Sequence, residues 1–337
     1  MTLVLHAQTP AERSEWLAWW VATGKEPFAH PAFVELFCRD GETALALALR
    51  QPGGRALLPL VRRPIPGANG RVDAVSPYGY GGPFSAGEVD SVAIGTALRD
   101  ALEEQGFVSA FVRLSLDSPL RSISDCAEVV EYNDNVVVAL HRSETQVWQD
   151  YDHKVRKNVK KARRAGCTVV REELPDWTRF TEVYVQTMIR RGASAWYRFD
   201  ETFFRALAER LPGSFSVFNV LDSHGTAVSV ELVLQSDRYL YSFLGGTLRE
   251  AFPMAPNDLL KHEVVRYGIE TGRLGYVLGG GVERGDGIFR YKRAFDPAGV
   301  VPFRAMRFIS DAAAYERLAR GKPDAGPDFF PAYRAGL

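Results

Sequence analysis

Cysteine, histidine and long apolar runs are all scarce in this sequence. The three cysteines (Cys38, Cys126 and Cys167) are odd in number and widely scattered, which fits neither a disulfide framework nor a zinc site and favours reduced thiols in a cytoplasmic protein. The six histidines have no metal-ligand spacing, so we expect no metal site. No run approaches the roughly 18 apolar residues of a membrane-spanning helix. Residues 1–8 lack a basic region and a long apolar core, so we expect no signal peptide.

An excess of charge of either sign is also missing. The 337 residues include 41 Lys or Arg and 41 Asp or Glu, so the formal net charge is zero. Affinity for a polyanion must therefore come from a local cluster of cations. The content of 46% hydrophobic and 24% charged residues is typical of a globular protein. The length predicts two domains of roughly 150 residues each.

Several catalytic motifs are absent from the sequence. There is no GxSxG elbow, which argues against an acyl-serine hydrolase. The glycines at 279–281 match neither GxGxxG nor the P-loop, because no Gly-Lys-Ser/Thr occurs. His262-Glu-Val-Val-Arg266 lacks the second histidine of a zinc-protease motif.

The apolar patterns predict a mixed α/β (α+β) fold. The first 40 residues are helical in pattern. They are followed by a hairpin of two strands (43–49 and 55–61), a helix (91–105) and two further strands (107–116 and 128–140). The second half predicts a strand at 168–172 and two helices at 177–191 and 201–210. A three-stranded meander at 215–221, 226–234 and 239–244 and a helix at 257–271 follow. Beyond Phe303 we expect a helix to about Arg320 and then a Pro/Gly-rich tail.

Residues 154–164 form the most unusual charged segment. Seven of these eleven residues are Lys or Arg, and none is acidic. Val155, Val159 and Ala162 recur at helical spacing, which predicts one amphipathic helix that ends at Gly166. Such a face can be merely solvated, but cations without interspersed acids repel one another, which favours binding of a phosphate polyanion.

The segment at 276–295 combines glycines with a lysine between aromatic residues. Residues 276–278 predict a buried strand, and Gly279, Gly280 and Gly281 follow, where a side chain would obstruct the turn or a bound molecule. Lys292 lies between Tyr291 and Phe295, where it could stabilise negative charge that develops on a substrate. The alternative is a glycine turn between two core strands with solvated cations.

Two further segments contain polar residues in unusual places. Glu231 lies within an otherwise apolar strand, where an acid needs a partner or a task. Residues 75–84 interleave five Gly or Pro residues with Tyr78 and Tyr80, which excludes a regular element. Either this loop exposes its rings for binding, or the two tyrosines fill the core.

Three of these segments resemble motifs of the FemABX-like aminoacyltransferases, a GNAT-related family. The glycine triplet with Tyr-Lys-x-x-Phe is similar to the family's closing signature. That signature usually has Phe at the position that Tyr291 occupies in this sequence. Arg156-Lys-Asn-x-x-Lys-Ala-x-x-Ala-Gly166 is similar to the helix that opens its second domain. Pro77-Tyr-Gly-Tyr-x-Gly-Pro83 is similar to a motif near its acceptor site, and Tyr241-Ser-Phe-Leu-Gly-Gly-Thr247 to its tyrosine-bearing strand.

The resemblance implies two tandem GNAT-like domains with mixed sheets flanked by helices. We expect the first at residues 1–145, joined by the tail 312–337, and the second at residues 146–311. The chain shows no long charged helical-hairpin insertion of the kind that some cell-wall members of the family carry. The acceptor, whether a peptidoglycan precursor or a natural-product peptide, therefore stays open.

The resemblance also implies transfer of an aminoacyl group from aminoacyl-tRNA to an amine of a peptide-like acceptor. The expected catalytic residues are Lys292 and Tyr241, with Gly279, Gly280, Gly281, Tyr291 and Phe295 as the substrate loop. The expected tRNA-binding residues are Lys154, Arg156, Lys157, Lys160, Lys161 and Arg164, and Tyr78 and Tyr80 are expected to contact the acceptor. We expect a monomer that needs no cofactor beyond aminoacyl-tRNA as co-substrate.

Two alternatives remain open. An acyl-CoA-dependent N-acyltransferase of the GNAT type would share the fold, and the basic helix would bind the CoA phosphates. The segment 190–195 is similar to a pyrophosphate loop, but it follows a helix rather than a strand, so we attribute the match to chance. A non-catalytic RNA-binding module is the other alternative, although it would not require Lys292 beside the glycine triplet.

Overall fold

The computed structural model describes residues 1–120, 127–172, 175–324, 326 and 329–336. Cys38 and Cys167 are free thiols, and Cys126 lies outside the described residues. The chain divides into two compact units, unit 1 of residues 1–132 with 302–337 and unit 2 of residues 133–301. The divisions differ from the expected 145/146 and 311/312, because they fall within strands, where no shift in composition marks them.

The described residues form thirteen strands and ten α-helices. The strands are β1 (Thr2–Leu5), β2 (Thr43–Arg50), β3 (Gly54–Pro64), β4 (Val72–Val75), β5 (Phe84–Gly87), β6 (Phe107–Arg113), β7 (Ala127–Ala139), β8 (Thr168–Glu172), β9 (Phe215–Leu221), β10 (Ala227–Gln235), β11 (Tyr239–Thr247), β12 (Gly275–Gly279) and β13 (Val300–Ile309). The helices are α1 (Pro10–Ala22), α2 (Pro31–Leu36), α3 (Ser91–Glu104), α4 (Glu144–Asp150), α5 (His153–Arg164), α6 (Trp177–Arg190), α7 (Glu201–Arg210), α8 (Pro256–Glu270), α9 (Gly287–Arg293) and α10 (Ala312–Ala319).

Unit 1 is built on a sheet with the strand order β1-β2-β3-β4-β6-β13, and β5 pairs with β3. The predicted hairpin is confirmed, since β2 and β3 are antiparallel with Leu47 opposite Leu58. Apolar side chains of these strands share a buried cluster with Leu98 and Leu102 of α3. That helix begins at Asp90, whose carboxylate accepts hydrogen bonds from two first-turn amides.

The predicted helix that follows Phe303 is wrong over its first part. Residues up to Ile309 belong to β13, which pairs antiparallel with β6. Met306 and Phe308 lie opposite Val112 and Ala110 and are buried with them. The apolar residues alternate as a strand requires, but the strand with which they pair is far away in the sequence. Only α10 is helical in this stretch.

Asp73 on β4 fastens the C-terminal tail within unit 1. The carboxylate is fully buried, and it accepts hydrogen bonds from Arg63 Nε at 2.8 Å and Arg334 Nε at 2.6 Å. The hydroxyl of Tyr333 donates to the same carboxylate at 2.9 Å. Both partners in the tail lie in a short 3₁₀ turn (Ala332–Arg334) that follows α10, so one buried charge holds this part of the tail.

Unit 2 is built on a sheet with the strand order β7-β12-β11-β10-β9-β8. The predicted meander is confirmed, because β9, β10 and β11 are consecutive antiparallel neighbours. The crossover from β11 to β12 contains α8, and these two strands are parallel. The predicted apolar seam of α5 is also confirmed: Val155, Val159 and Ala162 are buried in the same cluster as Leu260 and Val264 of α8.

We predict that Asp73→Asn lowers the free energy of unfolding of unit 1 by about 3 kcal/mol, because it leaves two largely buried guanidinium groups without a counter-charge. Urea unfolding measures this change, and limited proteolysis measures release of the tail. Asp311→Asn is the matched control. Asp311 pairs with Arg71, but both side chains are about 40% exposed, so little change is expected. Equal effects of the two substitutions would contradict the proposed role of Asp73.

Candidate functional site

A cavity of about 590 Å³ lies within unit 2, where β11 separates from β12. The parallel pairing covers only Tyr239–Tyr241 opposite Gly275–Val277. The next residues of β11, Ser242–Thr247, have no pairing with β12 and line the cavity. Part of the remaining wall comes from β10, which carries Glu231, and part from residues of α5, α6, α8 and α9. The cavity thus opens at the point where the pairing of the two parallel strands ends.

Lys292 lies on the wall of this cavity, in the last turn of α9. That helix begins at Asp286, whose Oδ1 accepts a hydrogen bond from the Phe289 amide at 2.7 Å. The Lys292 Nζ donates to the carbonyl oxygen of Gly280 at 2.6 Å. Burial, together with the nearby charge of Lys261, lowers the pKa of Lys292 from the usual 10.5 to about 8. The side chain can therefore be charged or neutral near physiological pH.

The glycine triplet supports Lys292 but does not line the cavity in the described structure. Gly279 has a positive φ of +74°, which favours glycine. A Cβ at Gly280 would lie 2.6 Å from the carbonyl oxygen of Asp134, and one at Gly281 would lie 2.1 Å from Asp286 Oδ1. Side chains are thus excluded by the chain itself. Because α9 follows this turn, the alternative of a turn between two core strands is wrong.

The aromatic residues on either side of Lys292 have different surroundings. Tyr291 lines the cavity, and its hydroxyl accepts a hydrogen bond from Asn257 Nδ2 at 2.8 Å. Burial raises the pKa of Tyr291 well above its usual value. Phe295 is fully buried, and the centroid of its ring lies 5.5 Å from the ring centroid of Tyr151. Tyr291 is therefore part of the site, whereas Phe295 belongs to the core beneath it.

A buried ion pair joins Glu231 of β10 to Lys261 of α8. Lys261 Nζ lies 2.6 Å from Glu231 Oε1 and donates to Ser242 Oγ, also at 2.6 Å. The hydroxyl of Tyr276 donates to the same Glu231 Oε1 at 2.5 Å. Glu231, Lys261 and Ser242 all line the cavity. The acid in an apolar strand therefore has a charged partner, as its position in the sequence required.

The basic helix α5 contributes directly to the cavity wall through Lys154 and Asn158. Asn158 Nδ2 donates to Asp258 Oδ1 at 3.1 Å. Asp258 also lines the cavity, and burial raises the pKa of its carboxyl group to about 6. This helix thus places part of its polar face inside the cavity.

The other predicted tRNA-binding residues lie outside the cavity wall of the described structure. Lys157, Lys160, Lys161 and Arg164 are exposed, and Lys160 Nζ lies 5.9 Å from the ring centroid of Trp148. Arg156 is half-buried and donates to the carbonyl oxygens of Gln149 and Tyr151. The exposed members therefore form a cationic surface, whereas Arg156 holds the end of α4.

Three of the four predicted tyrosines, Tyr78, Tyr80 and Tyr241, do not line the cavity in the part of the chain that the structure describes. Tyr241 is buried, with 4% of its surface exposed, although it lies on β11 next to Ser242. Tyr78 and Tyr80 belong to unit 1. Tyr80 packs in the core against Phe28, with ring centroids 5.5 Å apart, and Tyr78 is half-buried against Phe37. Their expected roles stay predictions.

Four charged residues of the cavity were not predicted from the sequence: Arg190, Arg191, Asp258 and Lys261. For α8 a signal was available. Asp258 and Lys261 are polar residues among the apolar positions that the helix buries, such as Leu260 and Val264. A charge on the buried face of a helix needs a partner or a function. Arg190 is the last residue of α6 and Arg191 is its C-cap. The sequence signal at this position is the similarity of 190–195 to a pyrophosphate loop, which we attribute to chance.

Comparison with known protein families identifies one type of domain that part of this chain resembles. Residues 149–293 match the family model of an acetyltransferase (GNAT) domain. The match lies within unit 2, and it contains all residues that line the cavity. Among curated proteins no match is found.

Solved structures then show the fold. The chain is similar to FemX, with 13% identity, a TM-score of 0.71, and coverage of 94% of this chain and 99% of FemX. It is also similar to L-PGS from Bacillus licheniformis, with 13% identity, a TM-score of 0.56, and coverage of 91% and 94%. The C-terminal domain of a proposed lysylphosphatidylglycerol synthetase from Agrobacterium fabrum has 14% identity, a TM-score of 0.56, and coverage of 90% and 93%.

These similarities confirm the predicted resemblance to the FemABX-like proteins at the level of the fold, and with it the α/β class. In the part of the chain that the structure describes, no helix is both long and apolar enough to span a bilayer. The described residues also include no group of three or more His, Cys, Asp or Glu side chains placed to hold a metal ion.

We predict that the Lys292 ammonium loses its proton with a midpoint near pH 8, against about 10.4 for a lysine in water. The lowered pKa means that the folded site disfavours the charged form. Reductive ¹³C-methylation followed by an NMR pH titration measures the midpoint, and Lys292→Arg assigns the resonance by removing it. A Lys292 resonance that titrates above pH 10 would contradict the burial described above.

Proposed function

We propose that this protein transfers an aminoacyl group from aminoacyl-tRNA to an amine of a peptide-like acceptor. One observation carries the proposal. The helix α5 presents a row of exposed cations, and its residues Lys154 and Asn158 also form part of the cavity wall that contains Lys292. A polyanion bound along α5 would therefore have an end close to the cavity. A charged tRNA has this character, with phosphates along its length and a reactive ester at one end.

The similar structures support an aminoacyl donor. FemX has the fold of this chain over nearly its whole length. A lysylphosphatidylglycerol synthetase is named for a product that contains a lysyl group, and its C-terminal domain is also similar in fold. Acceptor amines as different as those of a peptidoglycan precursor and of a natural-product peptide would fit this donor chemistry. We therefore propose the donor and the bond formed, and keep the acceptor to the class of peptide-like amines.

The reaction needs no covalent enzyme intermediate, because an aminoacyl ester is already activated. The amine nitrogen attacks the ester carbonyl, a C–N bond forms, and the C–O bond to the ribose breaks. The proton that the amine loses ends on the released ribose hydroxyl. The enzyme must hold the two reactants together and stabilise the oxyanion that develops. In its protonated form, Lys292 Nζ is the cavity group that we assign to this oxyanion.

An acyl-CoA-dependent N-acyltransferase is the second candidate. The matching family model describes an acetyltransferase domain, and the cationic wall of the cavity could receive the CoA phosphates as well as those of RNA. Under this alternative the cations of α5 far from the cavity would contribute little, because CoA is much smaller than tRNA. Binding experiments separate the two donors without knowledge of the acceptor.

We predict that the protein binds charged tRNA with an affinity that falls steeply with salt, and does not bind acetyl-CoA saturably. Replacement of Lys157, Lys160 and Lys161 by Gln should reduce the slope of log affinity against log salt by up to about three, one for each lost phosphate contact. Filter binding at several salt concentrations measures the slope.

The matched control for this experiment replaces Arg179, Arg205 and Arg210 by Gln. These arginines are exposed residues of α6 and α7 outside the cavity wall, so the salt slope should remain near that of the wild type. Saturable acetyl-CoA binding with weak tRNA binding would replace the proposal by the acyl-CoA alternative.

We predict that Lys292→Met lowers the rate of aminoacyl transfer by about 10² to 10³, the usual loss for one oxyanion donor. Single-turnover transfer of a labelled aminoacyl group to an amine acceptor measures the rate, and tRNA affinity should be unchanged. Arg293→Met is the matched control, because Arg293 is the next residue of α9 but is exposed and outside the cavity wall. A Lys292→Met rate above about a third of wild type would remove Lys292 from the mechanism.

A further inference from the structure

We propose that the Glu231 carboxylate binds the α-ammonium group of the transferred aminoacyl group, so that the cavity selects aminoacyl donors over plain acyl donors. The inference rests on the proposed function and assigns a specificity-determining residue to it. It depends on one unpartnered oxygen atom, on the cavity that Glu231 lines, and on the position of Lys292 in the same cavity.

The two oxygens of Glu231 have different surroundings. Oε1 accepts hydrogen bonds from Lys261 Nζ and from the Tyr276 hydroxyl. Oε2 is buried and has no hydrogen-bond partner among the described residues. The side chain as a whole is only 3% exposed. Half of the carboxylate is therefore held by the protein, and the other half has an unused capacity to accept hydrogen bonds.

An unpartnered oxygen of a buried carboxylate is costly. Most buried polar atoms in proteins have a partner, and the exceptions usually have a functional reason. The penalty is larger for a charged group than for a neutral one. A donor that arrives with the substrate would remove this penalty, and a cationic donor would form a charge-assisted hydrogen bond. An ammonium group is such a donor.

The strand next to Glu231 places glycines, rather than larger residues, beside the carboxylate. Across the β10–β11 ladder the residue opposite Glu231 is Gly245, and Gly246 follows. Directly opposite residues project from the same face of an antiparallel pair, so a side chain at position 245 would stand beside the carboxylate. A Cβ there would lie 2.6 Å from the Val230 carbonyl oxygen, so the position excludes one. Both glycines and Glu231 line the cavity.

Lys292 and Glu231 suit the two ends of an aminoacyl group. The two side chains line one cavity, and the charges of Glu231 and Lys261 both act on the Lys292 ammonium. In an aminoacyl ester the α-nitrogen is bonded to the carbon next to the carbonyl. The carbonyl oxygen can then face Lys292 while the α-ammonium faces Glu231. An acetyl group has no nitrogen at this position and would leave Oε2 unpaired.

The test compares binding of tRNA probes that differ only in the α-amine. Each tRNA carries glycine, alanine or serine on a stable 3′-amide linkage, or the corresponding deaminated acyl group. For the best-bound pair we expect the wild type to favour the aminated probe by about ten-fold, the order of one hydrogen bond to a charged group. In Glu231→Gln we expect the preference to fall to about two-fold or less.

Two further variants control for structural damage. Glu231→Gln leaves Lys261 buried without a counter-charge, so the double variant E231Q/K261M, which removes both charges, is measured as well. It should also have lost the preference for the aminated probe. Asp258→Asn removes the other carboxylate of the cavity, and it should keep the preference. Thermal unfolding confirms that each variant is folded.

The outcomes separate this inference from the proposed function. If the wild type binds charged tRNA but does not distinguish aminated from deaminated probes, the role of Glu231 is overturned and the proposed function stands. If the preference is retained in Glu231→Gln or is lost equally in Asp258→Asn, Glu231 is again excluded. If the wild type binds none of the charged tRNAs, the proposed function fails and the inference fails with it.

Discussion

The buried ion pair between Glu231 and Lys261 is the interaction on which the candidate site depends. It joins four elements, since Glu231 lies on β10, Lys261 on α8, and their partners Ser242 and Tyr276 on β11 and β12. Loss of one member of a buried pair typically costs about 3 to 5 kcal/mol, because the other charge is left without compensation. The pair therefore holds β10, β11 and β12 to the helix above them where the pairing of the parallel strands ends.

The charges of the cavity are unbalanced, and this gives Lys292 its character. Cations outnumber carboxylates, with Lys154, Arg190, Arg191, Lys261 and Lys292 against Glu231 and Asp258. Lys261 already has a counter-charge in Glu231, whereas among the described residues Lys292 donates only to a backbone carbonyl. Burial and the neighbouring ammonium therefore lower the pKa of Lys292 to about 8. A positive surplus of this kind suits a reaction in which a polyanionic donor develops further negative charge at its carbonyl.

Local patterns in the sequence predicted much of unit 2 and part of its site. The seam of α5, the meander and the position of Glu231 in an apolar strand each follow from side-chain periodicity over a few residues. Long-range pairing was harder to predict. The sequence predicts a helix after Phe303, whereas residues 304–309 belong to β13, because the partner strand β6 is far away in sequence. The glycine triplet at 279–281 indicates that side chains are excluded there. Only the tertiary structure shows that Asp134 and Asp286, rather than a bound molecule, occupy the space that side chains at Gly280 and Gly281 would need.

The sequence by itself determined many of the elements, the unusually basic helix and the position of a lysine between two aromatic residues, because each depends on neighbours along the chain. The tertiary structure alone decided which residues meet. It brought Lys154 of α5, Lys261 of α8 and Lys292 of α9 to one cavity and left Tyr241 outside it. The physical reason is the separation of β11 from β12, a property of two strands joined through a long crossover that no local pattern contains.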